Sequence, residues 1–313
     1  MRVYYYQTLF LDSFQLYSYH PLFLIPQNII PYSMKYIEEK IFCLLMMLSL
    51  IIVAVFVVSV LWSIFSKGLP VLTWDMIISL PGSGFYIGKE GGFLNAIVGS
   101  LYIVTGATVV GLIVSIPVVF YLNVYLKSTS RFGYIARLAF DVLFGIPSIV
   151  YGAFAFTIMV AMGIKASLLG GIIVETLLII PILIRSMDEV ARTIPKNLLE
   201  AAYALGATKI ETIGVVVRQI APAIATATLL SIGRAMGDAA GVMFTAGFTD
   251  FIPESFEDKC ATLPLSVFFQ LSVPQIEVQN RAYAAAVVLT VIVLILSLSG
   301  RLFMRYFSKN RIA

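Results

Sequence analysis

Six stretches of the chain run free of charge or nearly so. Residues 41–66 (26 residues), 91–126 (36), 142–164 (23) and 282–300 (19) carry none, residues 166–184 carry only Glu175, and residues 219–249 carry only Arg234 and Asp238. A helix needs about 20 apolar residues to cross roughly 30 Å of hydrocarbon, so each stretch predicts one membrane span. The second exceeds what a perpendicular helix requires, which predicts either a tilted, projecting helix or a bend at Pro117. No period marks an internal repeat.

Composition fits this pattern. Apolar residues (AVILMFWYC) make up 60% and charged residues 12% of the 313 positions, against about 45–50% and about 25% in soluble domains. An ordinary cytosolic enzyme and a disordered chain are both excluded, and the expected class is an all-α polytopic membrane protein with six transmembrane helices. Two cysteines and the single His20 speak against a disulfide scaffold, a metal centre and histidine-based catalysis. With the N-terminus inside, the inside segments hold 15 Lys and Arg and the outside segments 5. That bias predicts both termini on the cytoplasmic side.

Residues 1–33 stand apart from a 34–313 domain. They are rich in Tyr and Phe but are broken by Pro21, Pro26 and Pro31, and they show no signal-peptide pattern. Two readings stay open: a translation start at Met34, or an interfacial segment, for which Tyr is suited.

The inside loop 187–219 carries the densest local information. Pro195 suits the first turn of a helix, and Leu198, Leu199, Ala202 and Leu205 recur at helical spacing. Gly206 provides a stop, and Thr208 with Glu211 forms a capping box for the next helix. The loop therefore reads as a short helix, a glycine turn and a second helix. By local chemistry alone this fits a docking element or an ordinary surface hairpin.

Charges within spans are costly, about 2.5–3.5 kcal/mol on insertion scales, and tend to face a pathway or a partner. Arg234 and Asp238 stand at i and i+4, which places them on one face of a helix. They read either as a packing salt bridge or as a pathway pair, in which Arg234 favours an anion and Asp238 holds the guanidinium between passages. Asp141 can reach water or Arg137. Glu175 has no neutralising neighbour in its own helix, and helix–helix bonding and a pathway role are both open to it.

Glu200-Ala201-Ala202 followed by Gly206, placed inside between the fourth and fifth spans, resembles the EAA loop of the permease subunits of ABC importers. The family's later Ile-x-Leu-Pro is replaced by Val216, Val217, Arg218 and Gln219, with the proline delayed to Pro222. Residues 91–100 and 145–152 and Arg234-Ala-Met-Gly-Asp238 are similar to signatures of the phosphate-specific branch, with Asp in place of the usual Glu. Phe244-Thr245-Ala246-Gly247 and Ala261-Thr262-Leu263-Pro264 resemble its PstA-type rather than its PstC-type subunits. The resemblance implies a MetI-like type I permease fold without cofactor or catalytic residue. It implies a PstC-type permease partner, a PstB-type ATPase clasping Glu200, Ala201, Ala202 and Gly206, and an extracytoplasmic phosphate-binding protein, PstS. Arg234, Asp238 and Glu175 stand as the pathway candidates by their charge within spans, and the resemblance implies phosphate as substrate and membrane lipid rather than nucleic acid as surroundings. The chain has no GxxxxGK[ST] loop, so ATP hydrolysis falls to a partner. Two rivals remain: a permease for another oxyanion (molybdate, sulfate or phosphonate) and a phosphate-sensing membrane scaffold.

Overall fold

A computed structural model describes residues 32–82, 90–126 and 129–308. Residues 1–31, the bulk of the aromatic extension, lie outside the described residues. Among the described residues the architecture is all-α, with five helices long and apolar enough to cross a membrane and a sharply bent helix pair that counts as a sixth span when taken as one. The chain divides into two compact units, residues 1–61 and 62–313.

Helix α1 (Tyr32–Gly68) supplies the described part of the first unit. Its residues from Glu38 to Leu61 are exposed. From Ile41 onward they are apolar on every side, the composition of a helix surrounded by lipid rather than by water.

The second unit contains, in order, α2 (Trp74–Ile78), α3 (Leu94–Phe120), α4 (Arg131–Phe144), α5 (Ser148–Ala161), α6 (Leu168–Arg192), α7 (Lys196–Ala204), α8 (Lys209–Met236), α9 (Val242–Thr245), α10 (Leu263–Leu271) and α11 (Ile276–Ser308). Helix α6 is the hub and packs against α3, α4, α5 and α8. Its Ile179, Leu183 and Met187 share one core with Val104 and Ala107 of α3 and with Ile220 and Ala227 of α8. Between helices in lipid the gain is close packing rather than transfer from water, so small residues set the approach. At Gly111 of α3 a Cβ would sit 3.1 Å from both Ile179 and Leu183 of α6. A second core joins Met76 and Phe93 to Leu263, Ala284 and Ala285. It is pinned by the Asn95 side chain, which donates to the Thr249 carbonyl at 2.6 Å, and by the Leu263 N–H, which donates to Ser100 Oγ at 2.8 Å.

The predicted spans hold with two corrections. Helix α3 runs through Pro117 to Phe120, and a π-helical turn, Tyr121–Tyr125, continues it. The charge-free run 142–164 is not one helix. Helices α4 and α5 meet at 100°, because Pro147 bars its predecessor Ile146 from helical geometry. Pro147 itself takes extended angles (φ −60°, ψ 141°) as the N-cap of α5. The run 219–249 is also interrupted: α8 starts at Lys209, where the capping box places it, continues through Pro222 into the span and stops at Met236. The altered sequence at residues 216–222 therefore leaves the entry into this span a continuous helix.

Candidate functional site

Two corners of the second unit hold the residues singled out by sequence. The first lies between α6 and α8. Pro195 is the N-cap of α7, and Gly206 follows the helix at φ +86°. The Gly206 N–H donates to the Tyr203 carbonyl at 2.9 Å and the Ala207 N–H to the Ala202 carbonyl at 3.1 Å. These two bonds form a Schellman closure, whose left-handed residue is cheapest as glycine. A Cβ on Gly206 would meet nothing within 4 Å, so backbone conformation alone sets the demand for glycine there. The capping box forms as expected: Thr208 N–H donates to Glu211 Oε2 at 2.7 Å, and Glu211 N–H to Thr208 Oγ1 at 3.3 Å.

Leu199 anchors α7 to the main core. Glu200 and Ala201 are exposed and Ala202 is half-buried. Leu205 is 90% exposed and Ile210 72%. A rigidly capped helical turn thus presents a carboxylate and two bare aliphatic side chains outward. Local hydrogen bonding fixes the shape of this surface and leaves its apolar side chains uncovered.

The second corner follows α8. Arg234 lies in its last turn, Gly237 caps it, and Asp238 stands beyond the helix. The expected i, i+4 pair is therefore absent. Among the described residues Arg234 and Asp238 form no ion pair, because the helix ends between them. Asp238 Oδ2 instead accepts the Gly241 N–H at 2.7 Å and so closes the turn into α9. Glu175 of α6 reaches the same corner. It is fully buried, and neither of its oxygens meets a donor among the described residues. Its carboxyl and that of Asp238 border the same glycine. Gly241 stands beside both: a Cβ there would lie 2.7 Å from Asp238 Oδ2 and 3.5 Å from Glu175 Oε1. The corner is packed from a third side by α5, where a Cβ on Gly152 would lie 2.6 Å from the Gly241 carbonyl oxygen. Arg234 itself is exposed, and Asp238 is half-buried.

Sequence reasoning missed a third cluster, at the end of α6 that leads to α7. Asp141 pairs with Arg185 at 3.2 Å, not with Arg137. Arg137 pairs with Asp188, Nε to Oδ2 at 2.8 Å and Nη2 to Oδ1 at 3.0 Å. These groups border a cavity of about 450 Å³. The partners lie 51 positions apart, and no local spacing signals the pairing.

Comparison with known proteins agrees with this architecture. Residues 107–312 match the model of the family described as binding-protein-dependent transport system inner membrane component. The phosphate transport system permease protein PstA of Haemophilus influenzae is 32% identical over 249 residues, 79% of this chain and 86% of that protein. The protein of the same name from Yersinia pestis is 35% identical over 212 residues, 67% of this chain and 72% of its own length. Among solved structures, the MetNI methionine ABC transporter in an inward-facing conformation aligns with a TM-score of 0.55 at 17% identity, covering 68% of this chain and 95% of that one. The likeness to that structure is one of fold: an all-α, polytopic permease of MetI-like type. The chain belongs to the binding-protein-dependent transport system inner membrane component family.

Proposed function

We propose that this chain is the permease subunit of an ATP-driven importer of inorganic phosphate. The observation that carries the reading is the exposed α7, closed at its C-terminus by the Gly206 turn, with Glu200 and Leu205 on its surface. It is a preformed docking element between two core helices. Both termini lie on the cytoplasmic side, by the distribution of Lys and Arg, and α7 then faces the cytoplasm. A separate PstB-type ATPase receives it. A PstC-type permease completes the pathway, since six spans enclose too little for alternating access. An extracytoplasmic phosphate-binding protein delivers the substrate, and the PstA relatives support phosphate over other oxyanions.

Closure of the ATPase on ATP displaces α7, and α6 and α8, which flank it, carry that displacement inward. Arg234 is the charge an anion meets, because a guanidinium in a confined path repels cations and lowers the barrier for oxyanions. Asp238 and Glu175 hold the corner behind it, so the carboxylates set the shape of the turn and leave Arg234 open to the anion. Phosphate uptake by an Arg234→Gln variant that still assembles tests this assignment. We expect a fall of about 10²-fold, the size of losing one preorganised charged contact. Uptake at the normal rate removes Arg234 from the pathway.

A further inference from the structure

Helix α6 runs unbroken from the Glu175 corner to Arg192, and α7 follows after three residues. On the last turns of α6, Asp188 is nearly buried, with 9% of its side chain exposed. Two elements converge on its carboxylate. Arg137 of α4 donates to it through two nitrogens, and Asn123 Nδ2 donates to Oδ1 at 2.7 Å. Asn123 lies in the π-helical turn that ends α3. Such a turn shifts helical register and re-aims a side chain, as π-bulges often do at functional places. Arg137 Nη2 also reaches the Leu122 carbonyl at 3.3 Å.

A two-pronged guanidinium–carboxylate pair fixes orientation as well as distance. Here that fixity matters, because the apolar hold of α4 on the bundle is thin: Gly133 is its only buried residue, and Ala136 and Phe140 pack on the main core while only partly buried. The nearby Arg185–Asp141 pair is half-exposed on both sides, and such surface pairs bind weakly. Beyond α4 comes the 100° bend. The Tyr151 hydroxyl stiffens it by donating to the Leu143 carbonyl at 2.9 Å across the turn. Helix α5 then sets Gly152 against the backbone of Ala240 and Gly241, beside Asp238. A lever thus runs from the α7 end of α6 to the charged corner; it packs on α6 along its length, and the Arg137–Asp188 cluster is its buried polar tie to that helix.

We propose that Arg137, Asp188 and Asn123 form the joint that passes displacement of α7 to the bent α4–α5 pair and so to the Asp238 corner. Arg137 and Asp188 are positioning residues that touch no substrate. The proposal rests on the reading of α7 as the ATPase-docking segment.

The test uses the whole importer in proteoliposomes and measures ATPase retention, ATP hydrolysis and phosphate uptake on the same preparation. For Asp188→Asn and Arg137→Gln we expect the ATPase to stay bound while phosphate imported per ATP hydrolysed falls about tenfold, within the span of coupling losses seen for residues off the binding sites. Asn123→Ala keeps the ion pair, and the ratio should fall about threefold. The exchange Arg137→Asp with Asp188→Arg restores the pair in reverse and should recover most of the ratio. An unchanged ratio in the single variants overturns the joint, as does a joint loss of retention, hydrolysis and uptake without recovery in the exchange. Should the charged variants fail to assemble, Asn123→Ala decides, and an unchanged ratio there refutes the proposal. A wild-type importer whose ATPase stays bound without α7 contact defeats the docking reading instead, a separate result.

Discussion

The turns that end α7 and α8 contain similar residues and are built by opposite means. Around Gly206 the chain closes on itself through backbone bonds to Ala202 and Tyr203, and a Cβ would meet only open space. Around Gly237 to Gly241 the Asp238 carboxylate closes the turn from within, and the buried Glu175 of α6 and Gly152 of α5 crowd it from outside. The first turn is shaped by a few consecutive residues and offers a surface to something else. The second has a local bond of its own but is enclosed by segments more than sixty positions away. A docking element keeps its form when its partner leaves, whereas a packed corner changes only when the helices around it move.

Substitutions can break that contrast. The largest effect is expected at the enclosed turn. In Gly152→Val the new Cβ would lie 2.6 Å from the Gly241 oxygen and 3.0 Å from the Ala240 oxygen, both main-chain atoms. Overpacking of this kind typically costs about 1–3 kcal/mol. Thermal unfolding of the purified protein in detergent should show it, and an unshifted transition would mean the corner is looser than described. Gly206→Ala should cost less, about 1–2 kcal/mol for an L-residue held left-handed. The loss should stay local to the α7 turn, visible as faster hydrogen exchange at the Gly206 and Ala207 amides. Exchange spreading into the core helices would show that this turn is not self-contained.

The smallest effect concerns the segment before α10. Asp258 accepts N–H bonds from Ser255 at 2.8 Å and Glu254 at 3.0 Å, and these hold its carboxyl below the ordinary carboxylate range. A carboxyl lowered by folding contributes order at pH values above that range and loses it as pH falls through the lowered value. Exchange at the Glu254 and Ser255 amides should therefore quicken only in acid. Acceleration near neutrality, or none in acid, contradicts the assignment.

Legibility from sequence follows the same divide. The capping box of Thr208 and Glu211, the Gly206 stop and the charge-free cores of most spans were readable because their causes lie within a few residues. The bend between α4 and α5 was less so: Pro147 is plain in the sequence, but uninterrupted hydropathy on both sides reads as one span. The Arg234–Asp238 spacing misled because it assumed a helix that Gly237 ends. Glu175 beside Asp238, Asp141 with Arg185 and Arg137 with Asp188 are juxtapositions of distant segments. Each residue could be noticed from its charge, but only the packing of α6 among its neighbours pairs them.

The central claim is that α7 ties transport to a separate ATPase. The most direct measurement is phosphate accumulation by proteoliposomes holding the whole complex, with ATP supplied or withheld, beside a Glu200→Ala, Leu205→Asp chain. The account predicts accumulation only with ATP, and loss of both ATPase and uptake in the variant. Equal accumulation with the ATPase omitted would contradict it.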